Sequence, residues 1–227
     1  MNSNMLIVIP SAGIGKRMRS HGPKATIELS DGETVINRQV KILKKIFPKS
    51  KIAIIVGFQK DKFEKIQNVH YIDNDNYENT NVTYSINLAL QKFNCSSVLL
   101  IYGDLVFTKD IFVNMPHLKS WICLDNQQNH RSNEVGINVV DDKVVHFSYG
   151  LQNKWAQIAF LKGFELELFK NIASKNSSMK KFCFEIFNEI IDMNGEFDCY
   201  TNKKWKMVEI DTIKDIVRAK KLARKVN

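Results

Sequence analysis

Four cysteines in 227 residues form no C-x-x-C pair and no Cys/His group at zinc-ligand spacing, which excludes a disulfide framework and a zinc module. Cys95, Cys123, Cys183 and Cys199 are widely scattered and are expected to be buried thiols. Long apolar runs are missing too: the first, residues 5–9, is far too short for a signal-peptide core or a membrane span. The expected location is therefore cytoplasmic. No internal repeat, low-complexity tract, linker or recognised nucleic-acid motif interrupts the chain. What is present is 44% hydrophobic residues, enough for a full core and too many for a disordered or fibrous protein.

The charge is uneven. Against 24 acidic residues stand 33 basic ones, a net +9. Residues 11–24 carry Lys16, Arg17, Arg19 and Lys24 with no acid, residues 203–227 carry nine basic and three acidic side chains, and the remainder is nearly neutral. A duplex-binding protein spreads Lys and Arg over a broad face to neutralise many phosphates at once. One short basic loop suits a single small polyanion instead. The second cluster reads as the solvated face of a C-terminal helix. Neither nucleic acid nor membrane is expected as a partner.

Short β-branched runs at residues 6–9, 52–56, 69–72 and 98–102 alternate with helical patterns at 35–47, 61–67 and 82–93. This order predicts an α/β fold: a Rossmann-like, mixed, mostly parallel sheet flanked by helices, with right-handed crossovers. Ligands of such sheets gather at the carboxyl ends of the strands. In the second half, residues 135–140 and 143–147 flank Asp141 and Asp142 as a hairpin, and 155–161 reads as a strand. Helices at 164–172 and 179–191, strands at 197–200 and 206–210, and a basic helix from 212 complete the pattern. The expected organisation is a single domain, 1–227, whose hairpin and helices form a small extension over the active edge.

The most informative segment is Ser11-Ala12-Gly13-Ile14-Gly15-Lys16-Arg17-Met18, with Pro23-Lys24 following. Glycines permit close approach of a phosphate, and exposed N–H groups beside cations suit a triphosphate. A P-loop would need Gly at Pro10 and Ser or Thr at Arg17; a dinucleotide fingerprint would need a third Gly at Met18. Both fail.

The whole run resembles the signature of the nucleotidyltransferase family that makes nucleotide-sugars and related activated head groups. Ala12, Gly13, Gly15, Arg17, Met18, Pro23 and Lys24 occupy the family's Ala-Gly-x-Gly-x-Arg-Met/Leu and Pro-Lys positions, with Ser11 in place of the usual Ala. The resemblance implies a nucleotide-diphospho-sugar transferase-like fold, with Ala12 and Gly13 against the nucleoside and Gly15, Lys16, Arg17 and Lys24 holding phosphates. It also divides the chain into a nucleotide-binding half, 1–110, and an acceptor-binding half, 111–227. Tyr102-Gly103-Asp104 looks like the family's Gly-Asp, whose Asp binds the catalytic Mg²⁺. Glu209-Ile210-Asp211-Thr212 with Asp215 resembles the late segment that supplies a second metal ligand in the cytidylyltransferase branch. On a strand Glu209 and Asp211 face the same way, and Asp211 or Thr212 could equally cap the last helix. Residues 74–81 with Tyr84 and Ser85 resemble a pattern of bacterial choline-phosphate cytidylyltransferases, with a polar helix-capping loop as the simpler reading. Those enzymes carry Asp-x-Asp where Tyr102 replaces the first Asp here.

The resemblance implies transfer of CMP from CTP to a small phosphorylated or phosphonate acceptor with release of pyrophosphate, for surface polysaccharide, capsule or lipid decoration. Arg17, Lys24 and Asp104 are the expected catalytic residues, and Asp104, Asp211 and Glu209 the expected metal ligands. A sugar-1-phosphate uridylyl- or thymidylyltransferase, or a nucleotide-binding domain without chemistry, are the alternatives. On the acceptor side, Trp121, Phe147, Tyr149 and Trp155 could cage a quaternary amine or serve the core, and Lys154 beside Trp155 could meet an acidic acceptor.

Overall fold

The computed structural model describes residues 4–15, 22–30, 32–125, 133–202 and 204–224. In chain order the elements are β1 (Met5–Pro10), β2 (Glu28–Ser30), β3 (Glu33–Thr34), α1 (Val35–Ile46), β4 (Lys51–Val56), β5 (His70–Asp73), α2 (Val82–Lys92), β6 (Ser97–Ile101), β7 (Leu105–Phe107), β8 (Trp121–Asp125), β9 (Val135–Val140), β10 (Lys143–Tyr149), β11 (Asn153–Lys162), α3 (Gly163–Ala173), α4 (Cys183–Asp192), β12 (Phe197–Tyr200), β13 (Met207–Glu209) and α5 (Ile213–Arg224).

Among the described residues nine strands join in one sheet of order β5-β4-β1-β6-β11-β8-β12-β10-β9. β1 is buried along its whole length, as a middle strand covered on both faces must be. Its alternation sends Met5, Ile7 and Ile9 to the face covered by α1 and Leu6 and Val8 to the face covered by α2, α3 and α4. α1 buries Ile36, Val40 and Leu43 at helical spacing, and Thr34 Oγ1 caps it by accepting from the Asn37 N–H at 3.3 Å. Apart from these two layers, α5 sets Ala219, Leu222 and Ala223 against Leu29, Val106 and Ile210.

The α/β class and helix-flanked mixed sheet agree with the sequence reading, but "mostly parallel" holds only for its first half. β5, β4, β1 and β6 run parallel, and β8 with β12; β6–β11, β11–β8, β12–β10 and β10–β9 are antiparallel. The expected hairpin, β9–β10, forms part of this sheet, because β10 also pairs with β12 and β9 with β11. Asp141 and Asp142 turn it with φ of 49° and 59°, the left-handed pair that a tight hairpin turn demands.

Two expected helices differ. Residues 61–67 form only a 3-10 turn at Lys60–Lys62, because the Tyr71 hydroxyl accepts from the Ile66 N–H and donates to the Glu64 carbonyl, replacing helical partners. The helix expected from 179 starts at Cys183, where Glu185 reaches back to the Phe182 N–H at 2.6 Å. Cys95, Cys123 and Cys183 are buried free thiols, and Cys199 is half-buried. Among the described residues no helix is long and apolar enough to cross a membrane.

Candidate active site

Because β4, β1 and β6 are parallel, the chain leaves all three at one edge of the sheet, through Gly57, Ser11 and Tyr102. A cleft of about 210 Å³ opens there between the Ser11–Gly15 loop and the segment from Asn74 to Ser85. The loop is pinned at its base: the Ser11 N–H donates to the Ile55 carbonyl at 2.8 Å and the Phe58 N–H to the Ala12 carbonyl at 3.0 Å. Gly15 takes φ +59°, a conformation suited to glycine. Gly57 makes the approach of the two walls feasible, since a Cβ on it would lie 2.9 Å from both the Ala12 carbonyl oxygen and Tyr77 Cβ. Gly57→Ala is therefore expected to lose about 1–3 kcal/mol of stability through overpacking. Wild-type stability in denaturant unfolding would contradict that close contact.

The second wall hangs on Asn74, which is buried. Its Nδ2 donates to Thr80 Oγ1 and Ser85 Oγ at 3.1 Å each, and its Oδ1 accepts from the Asn76 N–H at 3.1 Å. Asn81 caps α2 by accepting from the Val82 N–H at 2.8 Å. The polar-loop and helix-cap reading of this segment thus describes its hydrogen bonds, and the same segment lines the cleft. Ser85 faces the cleft; Tyr84, half-buried beside it on α2, is not among the described residues that line it.

The charged end of the site is assembled from distant sequence. β13 pairs antiparallel with β7, placing Glu209 opposite Leu105, and the Ile210 N–H donates to the Asp104 carbonyl at 3.0 Å. Ile210 turns into the core, leaving Glu209 and Asp211 on the side of Asp104. One oxygen from each of the three carboxyl groups lies within 4.8 Å of the others. Asp215, in the first turn of α5, accepts from the Asp211 N–H, the Thr212 N–H and the Thr212 hydroxyl, which fixes the backbone carrying Asp211.

Lys24 spans the acids, with Nζ 3.0 Å from Asp104 Oδ2 and 2.5 Å from Asp211 Oδ1. Burial alone would favour the neutral amine, but Asp104 and Asp211 outweigh it and raise its pKa. Lys154 makes a second such pair, 2.8 Å from Glu209 and 3.0 Å from Glu134, and is likewise raised against the pull of burial. Burial and the nearby Asp104 push the Glu209 carboxyl above the usual carboxylate range, against the opposing effect of Lys154.

Ala12, Gly13, Gly15, Lys24, Ser85, Gly103 and Asp104 all line the cleft. Lys16 and Arg17 lie outside the described residues. Trp155 is placed in the core rather than on an acceptor surface: its ring meets Tyr102, Phe147 and Phe187, and its Nε1–H donates to the Ile158 carbonyl. Trp121 and Phe147 are equally buried, so of the four aromatics only Tyr149 is exposed, against Phe184. Three residues of this edge escaped the sequence reading. Gly57 follows an apolar strand directly, Gln157 is the one polar residue in an apolar run, and Glu134 carries no local signal.

A hard divalent cation fits the acidic group. Its donors are all carboxylate oxygens, the ligand type that Mg²⁺ and Mn²⁺ prefer, and Asp104 Oδ1 is buried without a hydrogen-bond partner among the described residues. Asp104, Asp211 and Glu209 are the residues that would hold it.

The fold is that of solved nucleotidyltransferases, as the sequence motifs anticipated. The model of the IspD family, 2-C-methyl-D-erythritol 4-phosphate cytidylyltransferase, matches residues 5–94. The CTP:phosphocholine cytidylyltransferase LicC of Streptococcus pneumoniae superposes with a TM-score of 0.76 at 19% identity, covering 97% of this chain and 99% of that one. The inositol-1-phosphate CTP transferase of T. maritima gives 0.79 at 15% identity, with 99% and 97% covered. A UDP-glucose pyrophosphorylase complexed with UDP-glucose gives 0.74 at 10% identity, with 99% and 100% covered. No curated protein sequence matches the chain.

Proposed function

We propose that the chain is a cytidylyltransferase that transfers the CMP group of CTP to a small phosphorylated or phosphonate acceptor and releases pyrophosphate. The observation that carries this reading is the position of Lys24, at the end of the cleft and in contact with both Asp104 and Asp211. Cytosine is favoured because the segment matched by a cytidylyltransferase model, residues 5–94, includes both walls of the cleft.

In this reading the nucleoside lies between the Ala12–Gly13 backbone and the Asn74–Ser85 wall, and its phosphates point past Gly15 toward Lys24. An acceptor phosphate is already ionised at neutral pH, so no general base is needed. Its oxygen attacks the α-phosphorus, one P–O bond forms, and the bond to the β-phosphate oxygen breaks with its electron pair on pyrophosphate. Lys24 neutralises the crowded phosphate oxygens, while the Ser11–Gly15 and Asn74–Ser85 walls hold the two reactants in line. Lys16 and Arg17 take the β- and γ-phosphates by resemblance. Bound Mg²⁺ would supply further charge neutralisation at the phosphate oxygens. Lys154, read from the sequence as a contact for an acidic acceptor, is instead committed to Glu209 and Glu134 and is not among the described residues that line the cleft. A cytidine-diphosphate-activated head group is a fitting donor for decorating a surface polysaccharide or lipid, and a CTP-consuming step belongs in the cytoplasm.

The test is pyrophosphate release with each of the four common nucleoside triphosphates, Mg²⁺ and a panel of phosphorylated acceptors. CTP is expected to be used at least tenfold better than the next nucleotide, because a site that hydrogen-bonds one base leaves polar groups unpaired with another. Preference for UTP or dTTP would move the assignment to sugar-1-phosphate chemistry. Tight CTP binding without turnover would point to a binding domain.

A further inference from the structure

Gln157 stands in the middle of β11 with φ +57°, in the left-handed region that favours glycine. Its neighbours Ala156 and Ile158 are buried in the core, and Trp155 and Ala159 keep their pairing with β8 only across a shift in register. The shift is a bulge beside the candidate site, a place where such irregularities re-aim a side chain. The Gln157 carbonyl accepts from the Tyr102 N–H at 3.3 Å, two residues before Asp104. Its Nε2 donates to Glu209 Oε1 at 2.7 Å. The other oxygen, Glu209 Oε2, is held by Lys154 at 2.8 Å.

Glu209 therefore cannot rotate freely. An amide on one oxygen and an ammonium on the other fix its plane, and only the amide does so without adding charge next to the acidic group. Glycine would relieve the backbone at this position and leave Glu209 held from one side alone. We infer that Gln157 is a positioning residue of the metal centre, kept in an unfavourable backbone conformation so that its amide orients Glu209 toward Asp104 and Asp211. This rests on the reading of those three acids as metal ligands. Groups that orient a ligating carboxylate typically change metal affinity 10- to 100-fold when removed.

The test is calorimetric titration of the nucleotide-free protein with Mn²⁺, together with thermal unfolding, for the wild type, Gln157→Gly and Gln157→Met. Both variants lack the amide donor, but only glycine relaxes the backbone. Mn²⁺ affinity is expected to fall about tenfold in both, while the unfolding midpoint of Gln157→Gly stays at or above that of the wild type. A residue that serves stability alone would make affinity follow the midpoint. Wild-type Mn²⁺ affinity in Gln157→Gly would overturn the inference and leave the metal reading intact. Absence of Mn²⁺ binding in the wild type would overturn both. Should the glycine variant not fold, the affinity of Gln157→Met decides by the same comparison.

Discussion

Lys24→Ala is expected to lower pyrophosphate release about 10³-fold, the upper end of what one preorganised electrostatic partner supplies. Lys24 is the described cation that both lines the cleft and touches two of the acids, so its loss removes charge where the proposed reading places the phosphates. The substitution also acts on the fold. Lys24 has a raised pKa in the folded state, so, with Asp104 and Asp211 ionised, its pairing stabilises the protein below the ordinary lysine value, and that contribution fades as pH rises through the folded-state value. At neutral pH the variant loses about 2 kcal/mol, between the values for exposed and fully buried pairs, because Asp104 and Asp211 are left facing each other. Circular dichroism at 25 °C, roughly the reference temperature for such free energies, separates a folded inactive variant from an unfolded one. Turnover near the wild-type rate in folded Lys24→Ala would remove the basis of the assignment.

Asp104→Asn should have an effect of similar size by a different route. The amide keeps the shape of the carboxylate and an oxygen acceptor for Lys24, but it takes away one of the three charges that a divalent ion would balance. In the proposed reading, Mg²⁺ at about 100 times its dissociation constant is expected to add about 2.7 kcal/mol of stability to the wild type by mass action. Asp104→Asn is expected to lose most of this gain and to lower turnover by about 10²- to 10³-fold. Thermal unfolding with and without Mg²⁺ reads the first, and pyrophosphate release the second. An undiminished Mg²⁺ shift in the variant would exclude Asp104 as a ligand.

What the sequence disclosed followed the reach of each interaction. β1, β4 and β6 were legible because a central strand must be apolar on both faces, and α1 because its apolar residues repeat at helical spacing. β7 and β13 have three residues each and acquire their meaning only from each other, so β7 left no local pattern to read. Residues 61–67 carried helical periodicity, yet the hydroxyl of Tyr71, on the neighbouring strand, claims their backbone groups. At the site, Ser11–Gly15, Lys24, Asp104 and Asp211 were visible as motifs. Gln157 was not, because a polar residue in an apolar strand says nothing of its φ or of a carboxylate more than fifty positions away. The aromatics of the second half were ambiguous for a related reason. A ring that fills a core and one that faces a ligand look alike in sequence, and the three deepest, Trp121, Phe147 and Trp155, fill the core.

The central claim is that a phosphorus–oxygen bond forms between the α-phosphate of CTP and an acceptor phosphate. Phosphorus NMR of the protein with CTP, Mg²⁺ and the acceptor panel follows that bond directly. The account predicts that the three CTP resonances are replaced by pyrophosphate and by a coupled pair from a new mixed diphosphate, and that both products form about 10³-fold more slowly with Lys24→Ala. CTP that is left unchanged with every acceptor, or that is cleaved to CDP and inorganic phosphate, would contradict it.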